Sequence, residues 1–244
     1  MKPLQGDAKR PAAGRVLRRL ASGVWPEEGR YSTRAALGFL AGPLCRRCAL
    51  PVEIDLGPDT ACPACTASPP AWNRAAAPLA YDDTTRPLIL ALKRGGNRDR
   101  LKHAGRWMRE AAGDMLETAD MLVPVPLHRM RLAARGFNQS LWLAAAVSRA
   151  SAVPLAIHWL KRKRRTPSQA GLNSAARARN VRGAFHVPDK HKDRIRGRRL
   201  VLIDDVYTTG AVLTACTREL RRAGAANVDI LVLARVVRPE TLPI

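Results

Sequence analysis

The sequence predicts an α/β domain in which helices cover both faces of a parallel β-sheet. Two unbroken aliphatic runs, at 200–203 and 228–233, are typical of strands that are buried on both faces. Residues 212–223, between these runs, have helical periodicity and are followed by Gly224, a common residue just after a helix. A strand, a helix and a second strand in this order favour a parallel sheet. The 244 residues suffice for one domain of moderate size and a small appendage.

The same alternation of strands and helices extends back along the chain to Ala76. The predicted elements are a strand at 78–81, helices at 86–92 and 101–115, a strand at 121–126 and a helix at 138–151. Pro87 supports a helix start, because proline is tolerated in the first turn. The turn at 93–97 is cationic and contains two glycines, so we expect it to be flexible. The core candidates of the helix at 138–151 are Leu141, Leu143, Ala144 and Val147.

Four of the five cysteines form two CxxC pairs that predict a metal site. Cys45 and Cys48 form the first pair, and Cys62 and Cys65 form the second. Each pair can place two thiolates on one ion, and two pairs complete a tetrahedral site that suits zinc. Since four thiolates leave no open coordination position, we expect the zinc to be structural. Redox chemistry and disulfides are the alternatives. Cys216 stands apart and is predicted to be a small buried residue.

These features divide the chain into three predicted parts. Residues 1–40 form a basic N-terminal arm, residues 41–72 a zinc ribbon and residues 73–240 the α/β domain. Proline and glycine residues between the two cysteine pairs favour a small hairpin there. We expect the ribbon to be a separate unit, so that zinc removal unfolds it and leaves the α/β domain largely intact.

The formal net charge of +22 predicts a positive field that attracts phosphate-bearing partners, including nucleic acid. Residues 161–165 form an uninterrupted basic run, and four arginines cluster at 194–199. Three interpretations of the 161–165 run stay open: contact with a nucleic-acid backbone, a lid over phosphates, and an exposed solvated loop. Aromatic residues make up only 5% of the chain, so we expect nucleic-acid binding to be modest and sequence-tolerant.

The sequence predicts no membrane span and no signal peptide. No segment approaches the roughly 20 apolar residues that a membrane-spanning helix needs. Pro26 and the charged residues Glu27, Glu28 and Arg30 interrupt the apolar stretches near the N-terminus. We therefore expect a cytoplasmic protein.

Residues 204–211 carry the clearest chemical signal. Asp204 and Asp205 follow the first aliphatic run, and the Thr-Thr-Gly turn at 208–210 leads into the next helix. Backbone N–H groups at such a turn and helix start favour an anion. Two carboxylates beside a phosphate site predict a ligand with both a phosphate and a polyol, such as a phosphorylated ribose. The alternative is that the two aspartates only end a strand and cap a helix.

This segment resembles the phosphoribosyl pyrophosphate (PRPP) signature of type I phosphoribosyltransferases, and the order of motifs resembles that of the ComF family of competence-associated proteins. The motifs are the two CxxC pairs, Leu92-Lys93-Arg94-Gly95-Gly96, Val123-Pro124-Val125-Pro126-Leu127-His128, Arg135-Gly136-Phe137-Asn138-Gln139-Ser140, Thr166-x-x-Gln169-x-x-Leu172, the segment 179–185 and the segment 204–210. The resemblance covers residues 43–237. Many relatives have further CxxC pairs, but residues 25–30 here have none, so we expect no second zinc site.

The resemblance implies a type I phosphoribosyltransferase fold with defined roles. The two aspartates would face the ribose hydroxyls of PRPP, and residues 208–212 would hold the 5′-phosphate. The turn at 93–96 would contact the pyrophosphate, and Mg²⁺ would bridge pyrophosphate and ribose oxygens with few protein ligands. The implied catalytic residues are Asp204, Asp205 and Lys93. The implied PRPP-binding residues are Asp204, Asp205, Val206, Tyr207, Thr208, Thr209, Gly210, Ala211, Val212, Lys93, Arg94 and Gly95.

Three functional hypotheses follow from the resemblance. The first is a PRPP- and magnesium-binding protein that supports DNA uptake and natural transformation, with single-stranded DNA and DNA-uptake proteins as partners. The second is an active phosphoribosyltransferase of nucleotide metabolism or salvage with an unidentified acceptor. The third is a DNA-binding adaptor with a vestigial ligand site. His128, Arg135, Asn138 and Gln139 stay open between contacts with a ligand and organisation of their loop.

Overall fold

A five-stranded parallel sheet lies at the centre of the structure, a computed structural model that describes residues 37–93, 98–164 and 174–237. The strands are β1 (Ala75–Ala76), β2 (Leu79–Ala80), β3 (Met121–Pro124), β4 (Lys161–Arg162), β5 (Phe185–His186), β6 (Arg199–Tyr207) and β7 (Asn227–Arg235). The order in the sheet is β1–β7–β6–β3, and β2 pairs with β7 beyond β1. Strands β4 and β5 form a separate antiparallel pair.

Helices connect the strands and cover the sheet. They are α1 (Pro63–Ala67), α2 (Arg86–Lys93), α3 (Arg98–Ala112), α4 (Asp114–Glu117), α5 (Arg129–Arg135), α6 (Gln139–Ser151), α7 (Ser174–Val181), α8 (Lys192–Ile195) and α9 (Ala211–Arg222). A short 3-10 turn, Asp189–His191, precedes α8. None of the helices in the described ranges has both the length and the apolar character that crossing a membrane requires.

Alternate residues of β6 enter two apolar clusters, one on each face of the sheet. Leu200 and Leu202 belong to the cluster that contains the buried residues of α9, and Val201 and Ile203 belong to the cluster of α3 and α6. Because both faces are covered, neither set of side chains needs to be polar, which explains the unbroken aliphatic run. The predicted fold class, a parallel sheet flanked by helices, is confirmed.

Two predicted elements are interrupted by residues that disfavour regular structure. The first predicted strand occupies Leu79–Ala80, and β1, also of two residues, precedes it across Pro78, which has no N–H to donate to a sheet. The helix predicted at 101–115 begins earlier, as α3, and ends before Gly113. The φ of Gly113 is +51°, a left-handed conformation that breaks the helix and separates α3 from α4.

Two further segments differ from the sequence prediction. The residues after His128, predicted as a loop, form α5, because the imidazole accepts the N–H of Met130 at 3.3 Å and caps the helix. The segment between the two cysteine pairs, which the structure describes completely, contains no hairpin of paired strands. Instead, an isolated bridge joins Leu44 to Pro51, and α1 begins directly after Cys62.

The burial of residues in helices α6 and α9 largely confirms the predicted core. Leu143, Ala144 and Val147 are fully buried, as predicted. Leu141 is partly exposed, so its prediction as a core residue was wrong. Cys216 is completely buried in α9, which confirms its prediction as a core residue.

The end of the predicted N-terminal arm packs on the α/β domain. Leu37 is buried in the α3–α6 cluster, and Phe39 forms a bridge with Leu79 and meets Trp107 edge-on at 5.3 Å between ring centroids. Residues 1–36 lie outside the described ranges. The boundaries of the three parts stay a prediction.

Helices α3 and α6 pack closely at Gly105. A Cβ atom at this position would lie 2.8 Å from the backbone carbonyl atoms of Ala146, where nothing can yield without moving α6. Gly105 is buried and helical, so only the close approach requires glycine here.

We expect Gly105→Ala to destabilise the protein. The clash should cost up to about 3 kcal/mol, of which the higher helix propensity of alanine offsets about 1 kcal/mol. Urea denaturation measures the net free energy of unfolding. Ala111→Gly, at an exposed position of α3, is the matched control for the propensity term. A Gly105→Ala variant as stable as the original chain would show that moving the helices apart costs no more than the gain in helix propensity.

Candidate ligand site and cysteine cluster

A cavity of about 270 Å³ opens at the carboxyl end of the sheet, beside the end of β6. Strand β3 pairs with β6 only as far as Pro124, opposite Ile203, whereas β6 continues to Tyr207 along β7. Pro126 has no N–H with which to extend the β3 ladder, so the chain turns away from β6. The uncovered edge of β6 then forms one wall of the cavity.

Asp204 and Asp205 lie within β6, not after its end as the sequence predicted. The strand is longer because its pairing with β7 continues past both residues. Oδ1 of Asp204 accepts the hydroxyl of Ser140 at 2.8 Å and the N–H of Asp205 at 2.9 Å. These bonds fix the orientation of the Asp204 carboxylate at the cavity wall.

The start of α9 forms the opposite wall. Gly210 has a φ of +77°, and a Cβ there would lie 2.9 Å from the Trp72 ring and 3.0 Å from the Tyr207 ring, so both conformation and space require glycine. No acidic residue lies in the first turn of α9, so the helix itself supplies no side-chain charge against the positive end of its dipole. The first N–H groups of a helix have no intrahelical acceptor, which makes this wall suited to an anion.

The structure brings most of the predicted PRPP-binding residues to one cavity. Those that line it are Asp204, Asp205, Val206, Tyr207, Thr208, Gly210, Ala211 and Val212. Thr209 instead lines a neighbouring cleft. Lys93 ends α2, but its side chain, together with Arg94 and Gly95, lies outside the described residues. The roles of all these residues in binding or catalysis stay a prediction.

Seven lining residues were not assigned to the site by the sequence, and three of them, Gln139, Ser140 and Arg162, have polar side chains; the others are Val125, Pro126, Leu127 and Leu213. Gln139 and Ser140 begin α6 and line the cavity. Nε2 of Gln139 is buried without a hydrogen-bond partner in the described ranges. Arg162 reaches it from the β4–β5 pair, with its guanidinium 5.2 Å from the centre of the Phe185 ring. The Arg-Gly-Phe-Asn-Gln-Ser motif was the available signal for Gln139 and Ser140.

Asn138 and His128, whose roles the sequence left undecided, organise the loop between β3 and α6. The Asn138 side chain accepts the N–H of Ser140 at 3.2 Å and donates to the carbonyl of Val125 at 3.0 Å, which joins the start of α6 to the end of β3. His128 is 7% exposed and caps α5. Neither is among the residues that line the cavity. The side chain of Arg135 lies outside the described residues.

The basic run at 161–165 does not present a uniform surface. Lys161 and Lys163 are exposed, whereas Arg162 turns toward the cavity, as alternation along a strand requires. Arg164 donates to the carbonyls of Asn180 and Arg182 at 2.8 and 2.9 Å, so it holds the end of α7. Residue 165 lies outside the described ranges.

The four cysteines of the CxxC pairs come together in a partly buried cluster. Their sulfur atoms all lie within 4.8 Å of one another, and those of Cys48 and Cys62 are 3.7 Å apart. Sulfurs around one tetrahedral zinc ion, at about 2.3 Å each, are about 3.8 Å apart. Hydrogen bonds from the thiols of Cys48 and Cys65 lower the pKa of Cys45, and the same contacts raise the pKa of Cys48 and Cys65, so without a metal ion the cluster favours one thiolate held by neighbouring thiols. The cluster can therefore hold a metal ion such as zinc.

A buried arginine connects this cluster to the ligand cavity. Arg235, the last residue of β7, is 7% exposed and donates from Nε to the carbonyl of Cys48 at 2.9 Å. One terminal nitrogen donates to the carbonyls of Tyr207, Thr208 and Val236 at 2.8–3.1 Å. The guanidinium lies 3.9 Å from the centre of the Tyr207 ring, a cation–π contact.

Trp72 makes a second connection between the cysteine cluster and the cavity. Its indole N–H donates to the carbonyl of Arg47 at 2.7 Å, and its ring meets Tyr207 edge-on at 5.5 Å. Burial raises the pKa of Tyr207, which keeps the phenol neutral. Cys45, Cys48 and Cys65 belong to the same apolar cluster as α9. These contacts differ from the expected separable ribbon, since they join the cysteine segment to the core of the domain.

Comparison with known proteins finds relatives along most of the chain. DNA utilization protein YhgH of Escherichia coli (strain K12) is 32% identical over 201 residues, which cover 80% of this chain and 85% of that protein. Competence protein F of Haemophilus influenzae is 34% identical over 120 residues, 49% of this chain and 52% of the relative. Competence protein ComFC of Bacillus subtilis is 33% identical over 117 residues, 47% and 44% of the two chains. No protein-family model matches the chain.

Two solved structures align with part of the chain. A glutamine PRPP amidotransferase from B. subtilis, complexed with ADP and GMP, has a TM-score of 0.35 and 18% identity, and the alignment covers 58% of this chain and 30% of that one. An allosteric regulatory enzyme of purine biosynthesis has a TM-score of 0.36 and 21% identity, with 54% and 25% covered. The chain spans less than a third of either structure, and at these TM-scores the alignments support no conclusion about its activity.

We expect Arg235→Lys to destabilise the whole domain. An ammonium group cannot span the carbonyl of Cys48 and those of Tyr207 and Thr208, so buried carbonyls lose their donors at a cost of about 2–3 kcal/mol. For a domain of this size the melting temperature should fall by about 5–10 °C. Thermal denaturation followed by circular dichroism measures the shift. Arg149→Lys, at an exposed position of α6, should leave the melting temperature unchanged; an equal shift in both variants would contradict the assigned role.

Proposed function

The chain belongs to the ComF family, and on that premise we propose that it binds PRPP with Mg²⁺ in the cavity beside β6 and handles single-stranded DNA during DNA uptake. The relatives named for DNA utilization and for competence support the second part. One observation carries the first part: two carboxylates and the start of α9, which has no acidic residue in its first turn, line the same cavity. A cytoplasmic location is part of this proposal.

The two walls of the cavity suit the two halves of a phosphorylated ribose. Carboxylate oxygens of Asp204 and Asp205 would accept the ribose hydroxyls, since an ionised carboxylate is an acceptor of several strong hydrogen bonds. The turn at 208–210 and the first N–H groups of α9 would hold the 5′-phosphate, because the helix dipole favours negative charge there. Gly210 permits this turn, because its positive φ and the nearby rings of Trp72 and Tyr207 exclude any larger residue.

The charges that line the cavity support a requirement for magnesium. The charged residues among the described lining are two aspartates and one arginine, Arg162, so the net charge of the lining is negative. A ligand with several phosphate charges would be repelled by this surface unless a cation accompanies it. Mg²⁺ prefers oxygen ligands and binds largely through substrate phosphates, so it would be held by PRPP oxygens and one or both aspartates. When bound, it would supply charge stabilisation to the pyrophosphate group.

We propose zinc as the metal of the cysteine cluster, with a structural role. The donor set supports zinc, because four thiolates without carboxylate or imidazole ligands suit its tetrahedral preference. All four positions would be filled by protein sulfur, which leaves no place for a substrate. The carbonyl of Cys48 binds Arg235, so the ion would also stabilise the loop that lines the ligand cavity.

We expect PRPP to bind only with Mg²⁺ and to need both aspartates. Isothermal titration calorimetry of PRPP with Mg²⁺ should give measurable heat for the original chain and at least about tenfold weaker binding for Asp204→Asn/Asp205→Asn, because charged acceptors become neutral amides. Asp193→Asn, at an exposed position of α8, is the control and should bind normally. Equal affinity in all three proteins would exclude this cavity as the PRPP site. Release of pyrophosphate that depends on an added acceptor would identify turnover.

Loss of one cluster thiol should remove the metal and weaken the whole domain. Cys65→Ser should reduce the metal content from about one zinc ion per chain to near zero. The unfolding temperature should fall in a single transition, because the cysteine segment shares the core of α9. Mass spectrometry for metal and calorimetric melting measure the two effects. Cys216→Ala, which removes the remaining cysteine, should keep the zinc. A separate early transition in Cys65→Ser would instead support an independent ribbon.

A further inference from the structure

Two clefts lead from the ligand cavity along α9 to the opposite end of the sheet. A cleft of about 700 Å³ runs along the helix from Ala211 to Arg222 and shares Ala211 with the ligand cavity. A second cleft, of about 890 Å³, lies at the amino end of the sheet, where Arg199 and Asn227 begin β6 and β7. Arg218 lines both clefts, so they form one continuous surface, which we call the arginine track.

The arginine track is strongly positive. The arginines of the larger cleft are Arg46, Arg47, Arg74, Arg199, Arg218 and Arg221. The smaller cleft adds Arg179, Arg182 and Arg222. Against these nine arginines the two linings contain three carboxylates, those of Asp59, Asp114 and Glu219. The described lining residues therefore carry a net positive charge on a concave surface, which focuses the field and attracts anions.

Some of these arginines already have partners within the protein. Arg74 is paired with the buried Asp229 at 3.1 Å and with Asp114 at 2.8 Å. Arg46 is paired with Asp59, and Arg222 with Glu219. These pairs hold the walls of the clefts, so their charge is largely balanced.

Three other arginines of the track have no such partner in the described part of the chain. The guanidinium groups of Arg47, Arg182 and Arg218 make no hydrogen bond or ion pair with residues of the described ranges. Arg218 and Arg182 are exposed, and Arg47 is half-buried. Arg218 also lies one helical turn before Arg222, and like charges at this spacing destabilise a helix. An anionic partner would offset that cost.

We propose that the arginine track binds the phosphate backbone of single-stranded nucleic acid, with one end of the strand close to the ligand cavity. A guanidinium group contacts a phosphate through two parallel hydrogen bonds, so separate arginines along the surface suit successive phosphates. The α9 helix is about 18 Å long, at 1.5 Å per residue, so the track spans several nucleotides. A flexible strand can follow clefts on two sides of a helix, whereas a duplex, with a persistence length of about 150 base pairs, cannot.

The aromatic residues beside the track predict its selectivity. Trp72 and Phe185 line the clefts but are 3% and 2% exposed, so no face is open for a base to stack on. Affinity should then come from phosphates alone and should depend on salt and not on base sequence. The inference rests on the proposed handling of DNA, and it names the surface; it does not require that PRPP binds.

The test is fluorescence anisotropy of a 5′-labelled oligodeoxythymidine of about 20 nucleotides, titrated at several salt concentrations. Arg47→Gln/Arg218→Gln should weaken binding about tenfold at low salt. Each phosphate contact in a single strand contributes about 0.7 to the slope of log affinity against log salt, so the double variant should lower it by about 1.4. Arg109→Gln/Arg149→Gln removes the same charge from exposed positions of α3 and α6, on the other face of the sheet, and should change neither value.

Four outcomes would overturn the proposal. These are equal losses in the track and control variants, a loss confined to Lys161→Gln/Lys163→Gln, the absence of oligonucleotide binding by the original chain, and binding to phosphatidylserine vesicles in place of the oligonucleotide. Asp204→Asn/Asp205→Asn separates this proposal from the ligand site: with the track correct, it binds the oligonucleotide normally whether or not PRPP binding is lost. A failure of PRPP binding alone therefore leaves the track supported by its own measurement.

Discussion

The guanidinium of Arg235 is the interaction on which the arrangement of both candidate sites depends. A buried cation is costly unless its N–H groups are satisfied, and here the acceptors come from three different parts of the chain. They are the carbonyl of Cys48, the carbonyls of Tyr207 and Thr208, and that of Val236. Because all are backbone groups, the charge is satisfied only when the cysteine segment, the end of β6 and the end of β7 are in place together.

This constraint changes what the cysteine cluster contributes. A segment that sits before the α/β domain in sequence forms part of its core in space, with Cys45, Cys48 and Cys65 in the same apolar cluster as α9. Trp72 continues the contact, since its ring lies against Tyr207 and leaves no room for a side chain at Gly210. A metal ion on the four thiols would therefore limit the motion of the turn that begins α9. The cluster and the cavity are two parts of one packed unit.

The sequence predicted best where the signal is local. Unbroken aliphatic runs identified β6 and β7, helical periodicity and Gly224 identified α9, and CxxC spacing identified the cysteine cluster. Predictions failed where partners distant in sequence decide the structure. β6 extends through Asp204 because β7 pairs with it, and a propensity pattern does not contain that pairing. β4 has two residues, too few for any periodicity, so the place of Arg162 at the cavity was not visible.

Arg235 shows the same limit, because no local pattern singled it out. At the end of an apolar run, an arginine looks like a solvent-exposed residue that closes a strand, and only the fold shows that it is buried. Motif order did better for Gln139 and Ser140, because the motif that contains them was recognised even though their contacts were not.

Helix α9 also explains why the two candidate anion surfaces are built differently. At its start, backbone N–H groups and the positive end of the dipole favour a phosphate, so the cavity needs few cationic side chains and contains one described arginine. Toward its end, the dipole is negative and would repel a phosphate, so any anion site there must be made by side chains. Arg218, Arg221 and Arg222 supply that charge from the last turns of the helix. One helix therefore supports a backbone site for a small phosphate at one end and a side-chain surface for a polyanion at the other.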